Sequence, residues 1–119
     1  MAKILVVDDA AFMRIRAARV LTEAGHTVVE AENGQVAVEA YLREQPDCVL
    51  MDITMPEMDG LQSLDEIRRR DPGARVAMLT AMGQQPIVLD AIKRGARDFV
   101  VKPFQPDRVL AAVDRLLAQ

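Results

Sequence analysis

The chain has 119 residues, half of them apolar and 28% charged, with a net charge of −3 and a single cysteine. This length suits one domain with a buried core, expected to span 1–119 with no effector domain attached. The acidic balance offers no basic face for nucleic acid, and one cysteine excludes a disulfide framework. No apolar run approaches the roughly 20 residues of a membrane span, so a cytoplasmic domain is expected, and it is expected to be a monomer.

Residues 4–7 are an apolar, β-branched run that predicts a strand, and they end in two adjacent carboxylates, Asp8 and Asp9. Beyond them Met13, Ala17, Val20, Leu21 and Ala24 repeat at helical spacing, and Gly25 stands where glycine terminates a helix. Taken alone, Asp9 reads as the cap of that helix. A second strand is predicted at 27–29, with the single histidine, His26, just before it and far from the acidic residues in the repeat. Asn33 and Gly34 open a second helix in which Ala37, Ala40 and Tyr41 share a face.

The third strand, 48–51, holds Cys48 as a buried thiol and runs into Asp52. The helix from about 61 to 70 ends in Arg68, Arg69 and Arg70, where cations complement the helix dipole. A fourth strand at 76–79 leads to Thr80, and Pro86 suits the first turn of a fourth helix running to Gly95. The fifth strand, 99–101, leads to Lys102. The last helix, with Pro106 in its first turn, carries an apolar stripe of Val109, Leu110, Val113, Leu116 and Leu117.

Five βα repeats with near-continuously apolar strands predict an α/β fold: a parallel five-stranded sheet covered by helices on both faces, a three-layer sandwich. The chain is too short to close an eight-stranded barrel, so the sheet is open. Ligands of such sheets bind at the carboxyl ends of the strands. The residues that end the first, third, fourth and fifth strands fall at that edge: Asp8, Asp9, Asp52, Thr80 and Lys102. Carboxylates gathered there would repel one another and be driven to protonate unless a cation joined them. Oxygen donors without a supporting His or Cys favour a hard ion, Mg²⁺. With an ammonium and a hydroxyl beside them, they describe a phosphoryl-transfer site in which one carboxylate is the nucleophile.

The segments VVDD, DITMPEMDG from Asp52 to Gly60, LTAMG from Leu79 to Gly83 and DFVVKPF from Asp98 to Phe104 stand in order at the ends of alternate elements. On these motifs the whole chain resembles the receiver domains of two-component response regulators, most closely the single-domain chemotaxis type. The resemblance implies a flavodoxin-like (βα)5 fold with strand order 2-1-3-4-5. It implies that Asp52 is the phosphoacceptor, that Asp9 ligates Mg²⁺ directly, that Thr54 offers its backbone carbonyl and that Asp8 acts through water. Lys102 would bridge to the phosphoryl oxygens, Thr80 would hydrogen-bond the phosphoryl group, Ala81 would leave it room, and the peptide bond before Pro103 would be cis. Phe99 occupies the switch-aromatic position, often Tyr in this family, and lacks the hydroxyl.

Thr54 and Met82 occupy the positions that tune phosphoryl lifetime. Neither is an acid or amide that orients a hydrolytic water, so slow to moderate autodephosphorylation is expected. The domain would catalyse its own phosphorylation from a phosphodonor and its own dephosphorylation. Implied partners are a histidine kinase of the chemotaxis type, the flagellar motor switch protein and a phosphatase. The implied output face takes in residues 81–85, Lys93, Arg94, Phe99, Phe104 and Gln105. The alternative within the family is a phosphorelay intermediate that passes the phosphoryl group to a histidine phosphotransferase. An aspartyl-phosphate hydrolase would want an acid where Thr54 stands, and a flavin carrier would need a phosphate-cradling loop where this one is acidic.

Overall fold

The computed structural model describes residues 1–82 and 84–119; Gly83, part of the expected output face, lies outside the described residues. Strands β1 (Lys3–Val7), β2 (Thr27–Ala31), β3 (Cys48–Asp52), β4 (Val76–Ala81) and β5 (Asp98–Lys102) alternate with helices α1 (Ala11–Glu23), α2 (Gly34–Glu44), α3 (Gly60–Arg70), α4 (Gln85–Lys93) and α5 (Pro106–Leu117). All strand pairs are parallel, in the order β2-β1-β3-β4-β5.

Side-chain alternation feeds two cores. Leu5, Val7, Val49, Met51, Val76 and Met78 pack with Ala37 and Tyr41 of α2, Leu64 and Ile67 of α3 and Ala91 of α4. Ile4, Val6, Cys48, Leu50, Ala77, Leu79 and Val100 pack with Ala17 and Leu21 of α1 and Val109, Val113 and Leu116 of α5. The central strands β1, β3 and β4 read as unbroken apolar runs because helices cover both of their faces; each large apolar side chain so buried contributes about 1.5–3 kcal/mol. Burial also pushes the Cys48 thiol up to about 12, leaving it a packing group.

Two boundaries differ from the sequence pattern because the hydrogen-bond ladder continues past the apolar residues. Asp8 donates its N–H to the Ala31 carbonyl at 3.2 Å, prolonging β2. Thr80 and Ala81 pair with Val101 and Lys102, so Thr80 lies inside β4 rather than after it. Helix α2 is capped by Asn33, which accepts from the Val36 N–H at 2.8 Å. Helix α3 opens on a capping box between Asp59 and Gln62, and Arg68 donates to the Pro72 carbonyl at its far end. Helix α1 instead has Ala10 as its N-cap residue and no side-chain cap, so Asp9 does not serve as one. Ala18, not Ala24, completes the buried face of α1, because Ala24 is already the capping residue. Gly25 follows it at φ +97°, the left-handed conformation that only glycine adopts freely. The Lys102–Pro103 bond is cis. Among the described residues no helix is long and apolar enough to cross a membrane.

Candidate functional site

β1 and β3 are neighbours because the strand order reverses between them, and their carboxyl ends carry the acidic residues. Asp8 and Asp52 share the side-chain parity of Val6 and Leu50 and are 1% and 4% exposed; Asp9 is exposed. One oxygen from each of the three lies within 4.8 Å of the others. Asp52 is level with Leu79, and Leu79 with Val100, so Lys102 starts two residues further along and its stem reaches back over the edge. Its Nζ donates to Asp52 Oδ1 at 3.1 Å and to Asp8 Oδ2 at 3.2 Å.

Burial, then the charge of Asp8, push the Asp52 carboxyl up to about 6; Lys102 opposes this without cancelling it. Burial pulls the Lys102 ammonium down, but Asp52 and Asp8 together outweigh it and hold the lysine above its ordinary value. Three carboxylates therefore face one ammonium, an imbalance that a divalent cation with all-oxygen coordination would relieve. The donor set fits such an ion. His26 sits buried before β2 and is no part of the group.

Backbone contacts fix this edge. Asp8 Oδ1 accepts from the Ala10 N–H at 2.9 Å. Arg14 donates from Nη1 to the Asp8 carbonyl at 2.8 Å and from Nε to Glu30 of β2 at 3.0 Å. Sequence reasoning missed Arg14, whose role lies in a carbonyl it reaches across one helical turn. Gly60 is a second such residue: a Cβ there would collide with the Asp52 carbonyl and meet the Ile53 Cα at 2.8 Å. Its N–H donates to the Ile53 carbonyl at 2.7 Å, drawing the start of α3 against the strand end.

The side chains of the other expected site residues make no hydrogen bond to these carboxylates. Thr80, buried, gives its hydroxyl to Gln84 Oε1 at 2.8 Å, and no hydrogen bond joins it to Asp52 or Lys102. Thr54 is exposed, and Met82 projects outward. Phe99 is 37% exposed on edge strand β5, and Val101, its neighbour in parity, 39%. A pocket of about 200 Å³ lies between Phe99, Thr80 and Val88. Phe104 corrects an expectation: at 2% exposure it belongs to the core, with the Arg16 guanidinium 5.3 Å from its ring centre, and it cannot form part of an output face. Leu89 and Ile92 of α4, not expected from the sequence, are exposed apolar residues. A larger cavity of about 410 Å³ beside Tyr41 and Asp71 lies at the opposite edge of the sheet, where the Tyr41 hydroxyl donates to Asp71 at 2.6 Å. Chemistry belongs to the carboxyl edge, which can hold a divalent cation through oxygen, neutralise an anionic group with Lys102 and present a carboxylate as nucleophile.

Comparison with known proteins agrees with this description. The model of the response regulator receiver domain family matches residues 4–114. The chain is 58% identical over 116 residues to the chemotaxis protein CheY of Bacillus subtilis, covering 97% of both chains. It is 52% identical over 115 residues to CheY of Thermotoga maritima, covering 96% of both. Among solved structures it superposes on the receiver domain of NtrX from Brucella abortus with a TM-score of 0.94 at 36% identity, covering 98% of each chain.

Proposed function

Because the chain belongs to the response regulator receiver domain family, we propose that it is a phosphorylation-activated chemotaxis regulator that accepts a phosphoryl group on Asp52. The observation that carries this reading is the convergence of Asp8, Asp9 and Asp52 with the Lys102 ammonium on one sheet edge. An Asp52 oxygen attacks the phosphorus of a phosphohistidine on the kinase. The new O–P bond forms as the P–N bond breaks, and the electron pair leaves with the imidazole nitrogen. Lys102, already 3.1 Å from Asp52, neutralises oxygens of the transferring group.

Asp9, Asp52, the Thr54 carbonyl and, through water, Asp8 would hold Mg²⁺, which when bound supplies the positive charge that the phosphoryl oxygens require. Phosphorylation gives Asp52 a dianionic group with strong acceptor oxygens, and the Thr80 hydroxyl is the donor best able to follow it. That movement vacates space beside the pocket that Phe99 borders, coupling the site to the face of α4, β5 and α5. Neither Thr54 nor Met82 is an acid or amide of the kind that readily orients a hydrolytic water, which favours a phosphoryl lifetime longer than seconds.

The proposed setting is cytoplasmic, with a monomeric domain, a chemotaxis histidine kinase upstream, the flagellar motor switch protein downstream and a phosphatase ending the signal. The relatives named CheY favour this over a relay role. The test is affinity for a motor switch peptide with and without acetyl phosphate and Mg²⁺. A gain of tenfold or more on phosphorylation is expected. Binding indifferent to phosphorylation, together with rapid transfer to a histidine phosphotransferase, would assign the relay role instead.

A further inference from the structure

Gln84, expected only as part of the output face, hydrogen-bonds both Thr80 and Thr54. It precedes α4 as the N-cap residue yet makes no side-chain cap to that helix. Its carboxamide turns back instead. Oε1 accepts from the Thr80 hydroxyl at 2.8 Å and from the Ala81 N–H at 2.9 Å, and Nε2 reaches Thr54 Oγ1 at 3.4 Å. The Ala81 N–H can only donate, so Oε1 is the atom that faces it and the amide orientation is settled. Thr80 also lies 3.2 Å from the Ala81 carbonyl, but a hydroxyl has one proton, and the shorter bond goes to Gln84.

We propose that Gln84 is a positioning residue that latches Thr80 in the unphosphorylated conformation and thereby sets how readily the site accepts a phosphoryl group. This rests on the receiver reading of the site. A phosphoryl oxygen on Asp52 competes with Gln84 Oε1 for the single Thr80 proton, so each activation event must break this bond. Because Nε2 simultaneously reaches Thr54, the latch ties the loop after β3 to the one after β4. Removing one neutral hydrogen bond of this kind shifts an equilibrium by about three- to tenfold.

The test measures binding of beryllium fluoride with Mg²⁺, a tetrahedral stand-in for a phosphoryl group on aspartate, by calorimetry and by amide NMR shifts. Gln84→Ala should bind it about three- to tenfold more tightly than wild type. Gln84→Glu keeps both acceptor contacts and should show no gain. In a Thr80→Ala background, Gln84→Ala should no longer give that gain, since the Thr80 bond it depends on is already gone. Equal gains in Gln84→Ala and Gln84→Glu, or the same gain with and without Thr80, would reduce Gln84 to a loop tether and overturn the proposal. An unchanged or weakened Gln84→Ala would overturn it as well. If wild type binds no beryllium fluoride and forms no Asp52 adduct, the receiver reading itself fails, and the latch with it.

Discussion

Replacing Asp52 with asparagine should stabilise the metal-free protein even though it removes an ion pair. Asp52 is almost wholly buried beside Asp8, and its carboxyl is raised from the ordinary 3.8 to about 6 despite Lys102 at 3.1 Å. A rise of that size corresponds to about 3 kcal/mol by which folding disfavours the charged form, at about 1.36 kcal/mol per pH unit. Between pH 3.8 and about 6 the folded chain holds more protons than the unfolded one. Stability contributed by this group is therefore present at low pH and lost as pH rises through that window. Asparagine has no charge to bury, but its amide meets the Lys102 ammonium less well than a carboxylate does, so about 1–2 kcal/mol of the gain should survive. Urea denaturation at pH 7.5 with a chelator should show Asp52→Asn more stable by that amount, or roughly 3–8 °C in Tm. The difference should vanish near pH 4. Added Mg²⁺ should stabilise wild type more than the variant, narrowing the gap. A variant less stable than wild type at pH 7.5 in chelator would mean that the Lys102 pair outweighs burial and like-charge repulsion, and the electrostatic account of the site would be wrong.

Asp9→Ala should abolish Mg²⁺-dependent phosphorylation with little loss of stability, since Asp9 is exposed and caps no helix; Asp8→Ala should weaken it and also lower stability by about 1–3 kcal/mol, because Asp8 holds the Ala10 N–H and Lys102. Mg²⁺ titration by calorimetry alongside urea melts separates the two effects. Gly60→Ala should cost more than about 2 kcal/mol and slow phosphorylation, because the new Cβ forces α3 away from the Asp52 backbone; a near-neutral melt would contradict the close approach. Gln45→Gly should stabilise the protein by about 0.5–1 kcal/mol, since Gln45 ends α2 at φ 49°, where glycine is unstrained; an unchanged or lowered urea midpoint would refute this.

The fold was legible because both faces of the central strands are covered, so those strands appear as short unbroken apolar runs and each helix shows a stripe. The acidic cluster was legible for a related reason: the carboxyl ends of parallel strands share one edge, so Asp8, Asp9, Asp52 and Lys102 had to gather there once the strand order was known. What the sequence hid depends on path rather than period. Arg14 acts on a backbone carbonyl, and Gln84 acts by folding back over its own loop, so neither residue type at its position signals the contact. Phe104 was misjudged because an aromatic after a Lys-Pro loop reads as surface, whereas the chain there turns under α1 and buries the ring beneath Arg16. Thr80 fell inside β4 because ladder hydrogen bonds do not stop where apolar side chains do.

The central claim is that Asp52 is the carboxylate that takes the phosphoryl group. Intact-mass spectrometry after incubation with acetyl phosphate and Mg²⁺ tests it most directly. A single phosphoryl adduct is predicted for wild type, lost without Mg²⁺ and absent in Asp52→Asn. An adduct that persists in Asp52→Asn, or none on wild type, would contradict the account.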